Sequence, residues 1–315
     1  MDLTGYTTEQ SADDIDDLRA ALGEEQISLW GASYGSHLAL ATIKRHGDRV
    51  HRAVIPMVEG PDHTIKLPSN IQRQIETIAA RVRSDPAVSA RVLDLPALMR
   101  EVIDRLAAAP VMVEVPDAAT NQTVKVAVSA FDLKKTTASG LGDIEFISRL
   151  PAHYAAMAQG DFTWPATYLL DWRRSWFSNA MGFVMDSASG ASPERLAQIQ
   201  REARETLLED LIDFPFPYVA DAWGAPDLGP EFRAPVRSNV PVLFISGTLD
   251  GRTPVSNAEE VRTGFPNGHH LIVDGMAHGV PDTPEITGAT VDFLSSKPVT
   301  IERSTVPFAF APVGG

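Results

Sequence analysis

The stretch QISLWGASYGSHLAL, Gln26 to Leu40, changes character twice within a few residues. Gln26 to Trp30 is short and strand-like. Gly31 to Gly35 has the composition of a tight turn. From Ser36 to His46, Leu38, Leu40 and Ile43 fall at helical spacing, and Gly47 is a stop. The turn Gly31-Ala32-Ser33-Tyr34-Gly35 matches G-x-S-x-G in the strand-turn-helix setting that this motif requires. A serine on so sharp a turn is strained, and glycines two residues to either side relieve the crowding. The turn aims the hydroxyl at the N-terminus of the next helix. There the helix dipole and the Tyr34 backbone N–H can stabilise an oxyanion. The motif also arises by chance, so its place between strand and helix carries the weight.

Outward from this turn the same alternation recurs. Residues 8–22 form an amphipathic helix on Ala12, Ile15, Leu18 and Leu22, with Asp13 and Asp14 early and Gly23 as stop. Residues 51–57 are a second buried strand. Near the other end, 240–247 and 269–275 read as strands, and 255–262 and 284–296 as helices. Alternation of this kind predicts a parallel sheet with right-handed crossovers. Between the two parts, 64–235 is mostly helical, at 71–84, 87–107, 143–159 and 193–212. The last opens on the capping run Ser192-Pro193-Glu194. Residues 111–115 and 123–128 alternate around the turn Asp117 to Asn121, which predicts a hairpin. The expected organisation is an α/β core over 1–63 and 236–300, a helical cap inserted at 64–235, and an irregular tail at 301–315.

A serine nucleophile needs a base, and the base needs an orienting acid. His278 lies just past the strand 269–275, in a loop at the C-terminal sheet edge, where ligands meet α/β sheets. His269 and His270 begin that strand at its opposite end. His37, His46, His51, His63 and His153 fall on helices, on a remote turn or in the cap region, where an ordinary structural role suffices. Asp250 follows the strand 240–247 and precedes His278, giving the chain order Ser, acid, His. Asp250 would accept the Nδ1 proton of His278 and turn the other nitrogen toward Ser33. Its bland alternative is a turn residue before Gly251. Asp274, on the strand end itself, is the rival acid.

With three motifs in this order the chain resembles the α/β-hydrolase superfamily. More narrowly it is similar to the proline iminopeptidase and tripeptidyl aminopeptidase branch of serine peptidases. That likeness rests on Gly31–Ser36, on Glu59-Gly-Pro-Asp-His-Thr64 and on Ser246-Gly-Thr-Leu-Asp-Gly-Arg-Thr-Pro254. It implies an eight-stranded core whose nucleophile follows strand five, with the cap between strands six and seven. The nucleophile here is residue 33, so strands one to four are expected to be missing from the N-terminal side. A His-Gly-Gly-type loop that supplies a second oxyanion donor in this branch is missing with them. Losing one such donor costs roughly 100- to 1000-fold in rate. Strand 26–30 then becomes an open edge. A further segment or a second chain completing the sheet is the expected remedy.

The remaining features bound the function. Net charge is −14, from 41 acidic and 27 basic residues, which argues against a nucleic-acid partner. The chain has no cysteine, so thiolate metal sites and cysteine nucleophiles are excluded. No metal-binding spacing occurs, and neither metal nor cofactor is expected. No apolar run approaches the ~18 residues of a membrane span, and no signal peptide opens the chain, so no membrane and a cytoplasmic setting are expected. Asp, not Ser, is the nucleophile of dehalogenases and epoxide hydrolases of this fold. The expected activity is therefore a serine hydrolase working through an acyl-enzyme on a small-molecule or short-peptide substrate, aminopeptidase-like by its resemblance. An aminopeptidase must hold a free ammonium, for which Glu59 and Asp62 are the candidates. The alternatives are a carboxylesterase acting on small or apolar esters, and a non-catalytic remnant that keeps the three residues by descent.

Overall fold

The computed structural model describes residues 5–175 and 180–314. Chain order begins α1 (Thr8–Ala21), β1 (Ile27–Trp30), α2 (Tyr34–His46) and β2 (Val50–Pro56). A long excursion follows: α3 (Pro68–Ser84), α4 (Pro86–Ser89), α5 (Leu95–Ala108), the hairpin β3 (Val111–Asp117) and β4 (Gln122–Val128), then α6 (Ala130–Gly140), α7 (Ile144–Ala158), α8 (Thr163–Ser175), α9 (Ala180–Ser189), α10 (Pro193–Glu202) and α11 (Gly229–Arg233). The chain then returns through β5 (Val242–Gly247), α12 (Val255–Arg262), β6 (Gly268–Asp274), α13 (Pro284–Leu294) and β7 (Arg303–Thr305).

The main sheet has the order β1-β2-β5-β6-β7, every pair parallel. Parallel strands need helical crossovers, which leave both faces covered. Central β5 accordingly has all its residues buried. On one face Leu40 and Ile43 of α2 and Phe265 pack with Phe244. On the other, Ile286 and Phe293 of α13 pack with Leu243, Ile245 and Leu271. All strands run the same way, so β1, β5 and β6 deliver the residues that follow them to one edge.

The segment between β2 and β5 has its own large core. Ile71, Ile75 and Ile78 of α3 meet Met99, Val102 and Leu106 of α5 and Ile147, Leu150 and Tyr154 of α7. The expected hairpin is present, with Val111 opposite Val128 and Asp117 opposite Gln122. Positions 176–179 of the expected cap lie outside the described residues.

Several expectations are corrected. The helix predicted over 87–107 is two helices, because Asp85 and Asp94 each cap a new start ahead of a proline. The helix predicted over 193–212 ends at Glu202. Leu207, Leu208, Leu211 and Ile212 mimic helical spacing, but they are buried from a run of turns. Helices α6, α8 and α9 went unread for want of a strong apolar stripe. On α1 and its cap, Leu18 and Leu22 are exposed, and Ala12 packs with Ala41 and Phe232. The close approach to α2 favours the small side chain over the large ones. The tail is not irregular throughout: Arg303–Thr305 adds a strand to β6, and Phe308 and Phe310 pack against the helical core. A three-residue strand is too short for periodicity to reveal.

Candidate active site

Ser33 sits at the mouth of α2 with φ 55° and ψ −120°, a backbone conformation that costs a non-glycine residue about 1–3 kcal/mol. Its neighbours hold it there. The Ser33 N–H donates to the Pro56 carbonyl at 3.1 Å. The Ser36 hydroxyl donates to the Ser33 carbonyl at 2.6 Å and itself accepts from the Glu59 N–H at 2.8 Å. Gly31 is required by the turn, since a Cβ there would stand 2.3 Å from the Gly35 carbonyl oxygen. Tyr34 opens α2, so its backbone N–H has no partner within the helix.

The structure brings the three expected residues together. Ser33 Oγ lies 2.8 Å from His278 Nε2, and His278 Nδ1 lies 2.9 Å from Asp250 Oδ2. Each comes from a loop at the C-terminal end of a strand. The acid and histidine loops are laced together, with the Leu249 N–H donating to the Met276 carbonyl at 2.9 Å. Gly247 permits that approach: a Cβ there would lie 2.2 Å from the Met276 oxygen. Asp250 is buried. Its Oδ1 accepts from the N–H groups of Arg252 (2.9 Å) and Thr253 (3.0 Å), and its Oδ2 accepts from the Thr253 hydroxyl at 2.5 Å. Burial alone would raise its pKa. The hydrogen bond and charge of His278, with the Thr253 hydroxyl and N–H, hold it below the ordinary carboxylate value. Thr253 Oγ1 also lies 3.2 Å from His278 Nδ1. The sequence reading missed Thr253; its signal was Asp-x-x-Thr, in which a turn aspartate meets the residue three ahead.

The rival acid Asp274 instead pairs with Arg81 and accepts from Thr248, both at 2.7 Å. The other histidines hold structural contacts. His37 is buried between the Gly60 carbonyl and Ser189, His46 meets Asp13, and His153 stacks on Trp164.

The chain matches the family model described as alpha/beta hydrolase fold over residues 1–283. The chain belongs to the α/β-hydrolase fold family. No curated protein matches it. Solved structures similar to this α/β-hydrolase include the putative non-heme bromoperoxidase BpoC from Mycobacterium tuberculosis H37Rv, at 18% identity and TM-score 0.39, covering 93% of this chain and 75% of that one. Another is the esterase EaEST from Exiguobacterium antarcticum, at 14% identity and TM-score 0.38, covering 93% and 76%. Likeness at this level carries no argument about substrate.

Beside the elbow of this α/β-hydrolase lies a charged cluster. The Tyr34 hydroxyl reaches Met185 Sδ on α9 at 3.6 Å. The next residue, Asp186, lines a cavity of about 210 Å³ together with Lys66, Asp213, Phe183, Phe216 and Arg252. Lys66 Nζ donates to Glu59 Oε2 at 2.9 Å, and the Lys66 backbone N–H donates to Asp213 Oδ2 at 2.7 Å. Burial would raise Glu59, but Lys66 and His37 hold it below its ordinary value. Burial pushes Asp186 up to about 7 and Asp213 up to about 6, with Lys66 opposing both shifts. Glu59 therefore faces Lys66. Asp62 accepts the Ser192 N–H at 2.7 Å and the Ser192 hydroxyl at 2.6 Å, tying the end of β2 to α10. The carboxylates that border open space are Asp186 and Asp213, which the sequence did not single out.

A larger cavity of about 630 Å³ borders His278 and is lined also by Met276, Arg252, Asp143 and Val280. Among the described residues no group of three or more His, Asp or Glu side chains is arranged to hold a metal ion. No helix among them is long and apolar enough to cross a membrane.

Proposed function

We propose that this α/β-hydrolase is a serine hydrolase that works through an acyl-enzyme and releases residues from peptides with a free amino terminus. The observation that carries the reading is the hydrogen-bonded series Ser33 Oγ, His278 Nε2, His278 Nδ1, Asp250 Oδ2, at 2.8 and 2.9 Å. With the imidazole proton on Nδ1 and donated to Asp250, Nε2 is free to accept the Ser33 proton. Ser33 Oγ then attacks the scissile carbonyl, and the new oxyanion draws on the Tyr34 N–H and the α2 dipole. The imidazolium, stabilised by Asp250, returns its proton to the leaving amine as the tetrahedral adduct collapses to the ester. Water, deprotonated by His278, attacks that ester, and the reverse proton transfer frees Ser33.

The preference for an amino terminus is supported by Asp186 and Asp213. Among the described residues no Lys or Arg lies within ion-pair distance of Asp186, and burial raises its pKa to about 7. A substrate ammonium in the 210 Å³ cavity would add to the charge of Lys66 and hold both carboxylates ionised.

Fluorophosphonate labelling read by intact mass, with Ser33→Ala as control, tests the nucleophile. Aminoacyl anilides and their N-acetylated forms test the amine. Ser33-dependent labelling with loss of hydrolysis on acetylation is the expected result. Equal hydrolysis of free and acetylated substrates, or faster turnover of matched acyl esters, would transfer the assignment to a carboxylesterase.

A further inference from the structure

Arg252 is the one residue common to the linings of the acidic cavity and the larger cavity beside His278. Its backbone is fixed by the acid loop, since its N–H donates to Asp250 Oδ1 at 2.9 Å. Its side chain lies against Gly142, where a Cβ would stand 3.0 Å from Arg252 Nε. Gly142 in turn accepts the His278 N–H at 3.1 Å. The guanidinium is thus held beside the catalytic loops by short, rigid connections.

What the guanidinium does not have is a carboxylate. Among the described residues its side chain makes one hydrogen bond, from Nη2 to the Ser139 carbonyl at 3.0 Å. Its Nε is buried and makes none. A guanidinium carries five N–H donors in a planar fork that suits a carboxylate. Asp143 lines the same cavity, but it accepts the Glu145 and Phe146 N–H groups as the cap of α7 and makes no ion pair with Arg252. Nearby Lys135 is buried, and burial, with the charge of Arg252 adding to it, lowers its pKa to about 8. The two cations repel, and an anion at Arg252 would relieve both.

We infer that Arg252 is a specificity residue that binds a carboxylate of the substrate within the cavity beside His278. Resting on the aminopeptidase reading above, this narrows the substrate class to short peptides with a free carboxyl terminus. The ammonium is held by Asp186 and Asp213 on one side, and the carboxylate by Arg252 on the other. A long peptide or a blocked carboxyl terminus forfeits the second contact.

Binding to Ser33→Ala protein tests the inference without turnover. Trialanine and trialanine amide are titrated by calorimetry into this protein and into the same protein carrying Arg252→Gln. A charge-assisted pair predicts trialanine tighter than its amide by about tenfold or more, and loss of that difference in Arg252→Gln. Arg252→Lys, which keeps the charge but not the fork, should keep part of the difference; it serves as the deciding variant if circular dichroism shows Arg252→Gln unfolded. Equal binding of the two peptides, no binding of either, or a preference that survives Arg252→Gln overturns the inference. An amidated peptide ending in aspartate separates a terminal from a side-chain carboxylate. N-acetyl-trialanine reports on the ammonium site, so failure there counts against the aminopeptidase reading and leaves Arg252 separately judged.

Discussion

Gly251 leaves the space that the Gln74 carboxamide fills: a Cβ on residue 251 would stand 2.2 Å from Gln74 Oε1. From there Gln74 Nε2 donates to the Leu249 carbonyl at 2.5 Å and to the Leu141 carbonyl at 2.7 Å. One buried side chain on α3 therefore joins the acid loop to the turn whose next residue, Gly142, anchors His278. Gln74→Leu leaves two buried carbonyls unpaired, at roughly 1–3 kcal/mol each. Melting temperature should fall and Ser33 labelling should slow. A substitution that lowered stability while leaving the labelling rate at the wild-type value would remove Gln74 from the positioning of the site.

Asp250→Asn should leave the fold intact and slow acylation severely, because an amide does not stabilise the imidazolium. The same change costs about 10⁴-fold in serine proteases with this constellation. Thr253→Val removes one hydrogen bond to Asp250 Oδ2 and should cost far less. Rates of fluorophosphonate inactivation rank the two, and equal losses would make Thr253 as central as the acid.

Asp186 should make stability depend on pH in a defined sense. Its folded pKa is about 7, against about 4 when unfolded. Between these values the folded protein binds a proton that the unfolded chain does not. Stability therefore falls as pH rises from about 4 to 7 and levels off above. Asp186→Asn should flatten this slope, and at pH 8 it should be more stable than the wild type by roughly 1–3 kcal/mol. The same variant should bind trialanine more weakly. Thermal denaturation across this range checks the slope, and a steeper one in the variant would reverse the assignment.

Among the described residues β1 pairs only with β2, and Trp30 on it is 55% exposed. An open strand edge with an exposed aromatic favours association. Trp30→Lys should lower the apparent mass in light scattering at high protein concentration and leave the unfolding free energy within about 0.5 kcal/mol of the original. An unchanged mass would mean that this edge does not drive association.

Much of the core was legible because its signals are local. G-x-S-x-G needs only a strand before it and a helix after it, and both are written in neighbouring residues. Asp250 and His278 follow strongly apolar strands, so their place at the sheet edge follows from chain direction alone. The excursion between β2 and β5 was harder. Its apolar residues at 207–212 obey helical spacing, yet burial against the helical core decided their backbone. β7 was hidden because its stability comes from the edge of β6 and not from its own three residues.

The sequence by itself determined the parallel core, the G-x-S-x-G turn and the places of Ser33, Asp250 and His278 after their strands, since each depends on residues close along the chain. Only the tertiary structure decided which carboxylates border open space. Glu59 and Asp62 looked eligible from their place after β2, but Lys66 and Ser192 face them. Asp186, Asp213 and Arg252 come from segments far apart in the chain and meet around one cavity. Charge pairing at a few ångströms is a property of that meeting, and no spacing in the sequence encodes it.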